Sequence, residues 1–405
     1  MTSRDRLGRR AFLSGGAAAA GGAVAALGGR AAWASTRPEE QPPAPDAVGQ
    51  VRTTFRGERQ PGVATPPPSA AAFVALDLAG GVDRVALRRL MAVWTDDVER
   101  LMDGRPGLTD TEPELAAVPA ALTVTVGYGP GVFTAAGLED QRPTWLAPLP
   151  SFTHDRLEET WSGGDLLLQV CADDEVAVSH AVRLLVKEAR AYTRVRWVQR
   201  GFRRAPGTTA PGTTMRNLMG QVDGTTNLVP GRDDALVWHG EDAPAWLAGG
   251  TSVVVRRIAM HLDTWDELDP HARDVVMGRR QSDGSPLTGT REHDEPDLEA
   301  TDDLGLPVID VAAHVRRART DDPAERFLRR AYNYDEAPPP GQLSDSGLLF
   351  VTYQADPVRQ LVPVQRRLDE ADRLNQWTTA VGSAVFAVPG GARPGEVLGE
   401  RLFGA

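Results

Sequence analysis

Three short segments of this chain hold the residues best suited to chemistry. The first reads Arg216-Asn217-Leu218-Met219-Gly220-Gln221-Val222-Asp223-Gly224-Thr225-Thr226-Asn227. Glycine tolerates positive φ and lets backbone approach a flat ligand closely, so a carboxylate between Gly220 and Gly224 can project into a pocket. A polar turn between two halves of a fold would account for the same residues. The second segment is Val311-Ala312-Ala313-His314-Val315-Arg316-Arg317, where an apolar run from Leu306 ends on an imidazole. A neutral imidazole is a common axial ligand of haem iron when its other nitrogen is hydrogen-bonded, and a lone histidine here also reads as a packed structural residue. The third is Arg326-Phe327-Leu328-Arg329-Arg330-Ala331-Tyr332-Asn333-Tyr334, whose arginines, read alone, are surface charges.

The elements that must position these residues follow from hydrophobic periodicity. Ala72–Leu78 reads as a strand, and Leu87, Leu90, Met91, Trp94, Val98, Leu101 and Met102 recur at helical spacing. Leu122–Gly127, Leu166–Cys171 and Thr193–Phe202 read as strands, with a helix over Val176–Ala191. That βαββαβ order is the ferredoxin-like pattern, an antiparallel sheet with helices on one face. A looser version follows residue 245, with strands at Ser252–Leu262, Leu348–Tyr353 and Ser383–Val388. Its helices are expected at Thr264–Met277 and Pro357–Glu370. The fold class expected is α+β, two tandem ferredoxin-like domains of the dimeric α+β barrel type, at 71–225 and 226–405. A long insertion, Gly278–Val308, separates helix from strand in the second, and its acidic part, Glu292–Asp303, reads as a solvated loop or a gate.

In that order the motifs resemble the dye-decolorising (DyP-type) haem peroxidases. Gly220-x-x-Asp223-Gly224 matches the family signature, as does His314-x-Arg316 followed by Leu328-Arg329-Arg330-x-Tyr332-x-Tyr334. Gly347-Leu348-Leu349-Phe350 matches a family strand, and the Arg256–Trp265 segment is also similar. The resemblance covers about residues 65–395, closest to the exported branch that includes the deferrochelatase/peroxidase of bacterial iron uptake. It implies one haem b per chain, bound mainly by the second domain, with His314 as proximal iron ligand. It places Asp223 and Arg329 on the opposite haem face, with Gly224, Thr225 and Thr226 along the haem edge and Leu348 and Phe350 lining the distal pocket. Arg319 falls near a haem propionate, although Ala318-Arg319-Thr320-Asp321 stands where related members carry Ala-Asn-Pro-Arg. His261 and His239 are weaker ligand candidates; His154, His180, His271 and His293 read as surface or capping residues.

On this reading hydrogen peroxide is reduced and an organic or metal reductant oxidised. Asp223 moves the proton between the peroxide oxygens, a role worth about 10²–10⁴-fold in rate. The low reference pKa of Asp favours activity at acidic pH. Arg329, always protonated, stabilises charge on the leaving oxygen. Tyr332, Tyr334 or one of the nine tryptophans can relay electrons or simply pack in the core. Two other functions share the pocket: a deferrochelatase that takes iron from haem and leaves the porphyrin intact, and a non-catalytic exported haem or iron carrier.

Bulk properties are compatible. The net charge of −11 disfavours nucleic acid as a partner. The single cysteine, Cys171, excludes an intramolecular disulfide and thiolate cluster ligation. Arg9-Arg10-Ala11-Phe12-Leu13, a Gly/Ala stretch over Gly15–Gly29 and Ala32-Trp33-Ala34 form a tripartite twin-arginine signal over 1–34. The expectation is export by that machinery to the periplasm or outside, with no transmembrane segment in the mature chain. A Pro/Ala-rich extended arm over 35–70 would follow. Iron-uptake proteins are candidate partners, and a homo-oligomer is compatible with the sequence.

Overall fold

The first half opens with β1 (Ala70–Leu78), apolar on both faces and buried for most of its length. Helix α1 (Arg84–Met102) starts where the Asp83 side chain accepts from the Ala86 amide, capping its exposed amides. Its stripe from Leu87 to Met102 is buried, as the spacing predicts. Strands β2 (Thr123–Tyr128) and β3 (Leu166–Ala172), helix α2 (Glu175–Ala189) and β4 (Thr193–Phe202) complete the unit. Its antiparallel order is β2-β3-β1-β4, the ferredoxin-like one. This computed structural model describes residues 48–404. The signal segment and the start of the arm lie outside the described residues.

The second half repeats the pattern with β5 (Thr251–Met260), helix α3 (Pro270–Met277) and helix α4 (His314–Ala318). These are followed by β6 (Leu328–Arg329), β7 (Tyr332–Glu336), β8 (Asp345–Gln354), helix α5 (Pro357–Ala371) and β9 (Thr378–Val388). The helix expected over Thr264–Met277 is broken: a single turn at Leu262–Trp265 precedes α3, which Asp269 caps ahead of Pro270. Strand β7 was not expected; its short Tyr-Asn-Tyr-Asp alternation turns Tyr332 and Tyr334 into the buried cluster. With β6 it runs in one continuous register along β8, giving the order β9-β5-β8-β7.

The two sheets close on each other. β2 meets β9 at Tyr128 and Ala387, and β4 meets β7 at Phe202 and Asn333. Strand side chains alternate in direction, so one set fills the ring interior, among them Phe73, Trp197, Leu349, Tyr353 and Phe386. The other set faces the helices. Residues 48–69, ahead of β1, form no helix or strand, but they are not free. Gln60, 3% exposed, donates from Nε2 to the carbonyls of Val126 and Pro389, and its Oε1 accepts from the Val126 amide at 2.8 Å. It thereby stitches the seam between β2 and the end of β9.

Behind the first sheet, His180 is not at the surface. It is buried and its Nε2 lies 2.8 Å from Oδ2 of Asp110, so a polar-looking helix position has become a buried pair. Nearby, Asp97 on α1 faces Glu188 on α2, and Glu188 also accepts from the Thr109 hydroxyl at 3.3 Å. Burial, and then the Asp97 carboxyl, push Glu188 up to about 9, so the pair keeps a proton at neutral pH. A carboxyl raised in the folded state stabilises fully below its unfolded value and loses that contribution as pH rises through the folded value. Unfolding by urea is therefore expected to become easier between about pH 5 and 9. Glu188→Gln should flatten that slope; an unchanged slope in the variant would exclude the pair as its cause.

Candidate active site

The loop after β4 holds Asp223 by hydrogen bonds to its own backbone. Arg216 and Val222 pair across a tight turn, and the Asn217 side-chain oxygen accepts from the amides of Met219 and Gln221. Gly220 and Gly224 sit at φ +81° and +128°, the conformations that the glycines of the motif permit. The Asp223 amide donates to the Met215 carbonyl at 2.8 Å. Its Oδ2 accepts from Asn217 Nδ2 at 3.3 Å and its Oδ1 from Arg329 Nη1 at 3.2 Å.

Arg329 and Arg330 are neighbours with opposite destinations. Leu328 pairs with Tyr353 and Arg329 with Thr352, so strand alternation turns Leu328 and Arg330 into the ring and Arg329 toward the helices. Leu348 and Phe350 share that outer side of β8. Arg329 is gripped at its backbone by Asn227, whose Oδ1 accepts from the Arg329 amide and whose Nδ2 donates to its carbonyl, both at 2.8 Å. The guanidinium also donates from Nη2 to the Thr226 carbonyl at 2.8 Å.

His314 begins α4. Its Nδ1 is 2.6 Å from Oδ2 of Asp372, a residue 3% exposed in its side chain, whose Oδ1 accepts from the Leu374 amide. Its Nε2 has no hydrogen-bond partner among the described residues. Burial alone would push the imidazole down. The Asp372 carboxylate overrides this and holds it above the usual histidine range, with Asp223 adding to the rise and Arg329 opposing it. The charges of Asp223 and Arg329 thus act on the imidazole.

The remaining candidates fall around this centre with mixed outcomes. Leu348 is buried in the cluster of Met219, Met260, Trp265 and Val276, and Phe350 packs at its rim, edge-on to Phe327 at 6.2 Å. The Thr225 hydroxyl donates to Glu292, as does that of Thr214. Arg319 is paired with Glu295. The acidic insertion is therefore tied down at Glu292, while Glu295 and the stretch around Leu304 stay exposed. His261 Nε2 meets Thr379 at an exposed position, and His239 stacks on Trp145 at 5.8 Å, so neither joins His314. Asp372, Asn227 and Asn217 were not singled out in the sequence. Asn227 closes the Asp223 motif and could have been noticed there; Asp372 lies 58 positions from His314 with no local signal.

A cleft of about 330 Å³ opens beside the pair, lined by Asp223, Gly224, Asn227, Arg329 and the Val63–Pro67 segment. Protein-family comparison matches residues 60–203 to the N-terminal and 214–393 to the C-terminal domain of the Dyp-type peroxidases. The chain belongs to the Dyp-type peroxidase family. It is 40% identical to the dye-decolorizing peroxidase of Thermobifida fusca over 99% of this chain and 98% of that one. It is 33% identical to a deferrochelatase of Yersinia pestis over 89% and 88%. The crystal structure of the DyP-type peroxidase from Cellulomonas bogoriensis superposes with a TM-score of 0.87 at 63% identity, covering 88% of this chain and 99% of that one. The chain is thus an enzyme of the Dyp-type peroxidase family with an α+β ferredoxin-like fold.

Asn227 predicts its own test. Asn227→Ala removes both side-chain bonds to the Arg329 backbone and should cost about 1–3 kcal/mol in urea unfolding. Stability equal to wild type would mean that the backbone of β6 is held by β8 alone.

Proposed function

We propose that the site binds one haem b and reduces hydrogen peroxide, with His314 as proximal ligand and Asp223 and Arg329 as the catalytic pair. The observation that carries this reading is the state of His314: Nδ1 tied to a buried carboxylate, Nε2 free, and the charges of Asp223 and Arg329 within reach. The residues fit the group. A carboxylate–imidazole pair fixes the tautomer that leaves Nε2 to bind iron and makes it more basic. Leu348 and Phe350 offer an apolar wall, Gly224, Thr225 and Thr226 an edge, and Arg319 a cation for a propionate if it leaves Glu295.

Bound haem supplies the electrons that break the O–O bond, and the chain's own residues manage protons and charge. Asp223, as carboxylate, takes a proton from one peroxide oxygen and returns it to the other, which leaves as water. The Arg329 guanidinium stabilises negative charge on that departing oxygen. Asn217, on Oδ2 of Asp223, and Asn227, on the Arg329 backbone, hold the pair in place, so neither group reorients during the transfer. Dyes, other organic molecules or metal ions serve as reductants.

Stopped-flow mixing of haem-reconstituted protein with peroxide tests the roles. Asp223→Ala and Arg329→Ala should each slow the first absorbance change by about 10²-fold or more, while His314→Ala should lose the ligated haem spectrum. Rates indifferent to both distal substitutions would reject the assignment.

Kinship with the deferrochelatase supports a second activity in the same pocket, release of iron from intact porphyrin. Metal-free porphyrin appearing with chelatable ferrous iron, under reducing conditions and without peroxide, would establish it. The twin-arginine signal supports export to the periplasm or beyond. Arg9→Lys with Arg10→Lys should trap the protein in the cytoplasm; normal export of that variant would exclude the route.

A further inference from the structure

The cleft beside Asp223 has a charge its own residues do not balance. Its charged lining is Arg203, Arg329, Arg330 and Asp223. Arg329 and Asp223 offset each other across 3.2 Å. Arg203 and Arg330 have no carboxylate partner among the described residues. Arg330, 2% exposed, gives its guanidinium to the carbonyls of Thr65 and Pro66, and the titratable groups around it are Cys171, Tyr332 and Tyr353. Arg203 donates from Nε to the Ala331 carbonyl at 2.7 Å and lies over the Tyr332 ring at 5.1 Å. Its two terminal nitrogens have no acceptor among the described residues.

Burial pulls the Arg203 guanidinium down from its usual value, while Asp223 helps to keep it charged. Glu292 is engaged by the hydroxyls of Thr214 and Thr225. Uncompensated, partly desolvated cations are unfavourable unless a ligand brings the counter-charge. They are all the more unusual in a chain of net charge −11. Besides the polar Thr65, Thr213, Thr214 and Asn227, the wall offers an apolar strip of Pro66, Pro67, Met215, Leu228 and Pro230. A flat ring against prolines with an anionic group on Arg203 satisfies both parts of the lining.

We propose that this cleft binds an aryl anion, a sulfonate or carboxylate, through Arg203, with Arg330 adding charge from behind the Thr65–Pro66 wall. Resting on the peroxidase reading, the bound aryl anion is the reductant. Each molecule gives up one electron, and two of them, with two protons, complete the conversion of one peroxide to two waters. Arg203 is then the residue that sets preference for anionic over neutral reductants.

Calorimetric titration of the haem-loaded protein with benzenesulfonate, in the absence of peroxide, tests the site. One site is expected, weakened by salt and about tenfold or more weaker in Arg203→Gln, with Arg203→Lys recovering part of the loss. Arg204→Gln, an exposed neighbour, controls for net charge and should bind as wild type does. No binding, equal binding of benzenesulfonamide, or equal affinity in Arg203→Gln would overturn the proposal. In peroxide-driven turnover, the kcat/KM ratio of an anionic to a neutral phenol should fall about tenfold in Arg203→Gln; an unchanged ratio would likewise overturn it. Intact sulfonate binding without any peroxide turnover would instead overturn the peroxidase reading and leave the anion site standing.

Discussion

Where β2 meets β9 and β4 meets β7, single register pairs, Tyr128 with Ala387 and Phe202 with Asn333, close two four-stranded sheets into one ring. A sheet so closed leaves no long unpaired edge, and it assigns each strand residue to one of two surroundings, a packed interior or a helix-covered exterior. Gln60 reinforces the weaker of these seams from a segment without secondary structure, supplying backbone partners that the strands themselves do not provide there. The ring interior is filled largely by aromatic and aliphatic side chains.

That division explains how the site is assembled. Arg329 reaches it because strand alternation sends Arg330 the other way, and β7 and β8 hold the register that makes the choice. Asp223 comes from a loop between the two halves, His314 from a short helix in the second, and Asp372 from the end of α5. Each is fixed by a neighbour whose only evident task is orientation: Asn217 for Asp223, Asn227 for Arg329 and Asp372 for His314. Preorganisation of this kind avoids reorganisation when charge develops, and it is worth more in a dry site than in water.

Much of this was legible beforehand, because it depends on local pattern. The helices at 84–102 and 175–189 follow from apolar spacing, and the glycines at 220 and 224 do take the positive φ that their motif permits. What escaped notice depended mostly on distant partners. Strand β7 has only a short Tyr-Asn-Tyr-Asp alternation of its own, and the hydrogen-bonding edge of β8 fixes it. His180 looked like a surface residue until Asp110 was brought against it, 70 positions away. The acidic insertion reads as solvated loop and is largely exposed, yet Glu292 at its start is held by Thr214 and Thr225.

The sequence by itself determined the family and the ferredoxin-like strand and helix order, since motif chemistry and periodicity are properties of neighbours along the chain. Only the tertiary structure decided that Asp372 accepts from His314, that Asn227 holds Arg329, and that Arg203 lines the cleft beside Asp223 with no carboxylate bonded to it among the described residues. Those are pairings across tens to hundreds of positions, and their partners are chosen by sheet closure and strand register, which no short window of sequence contains.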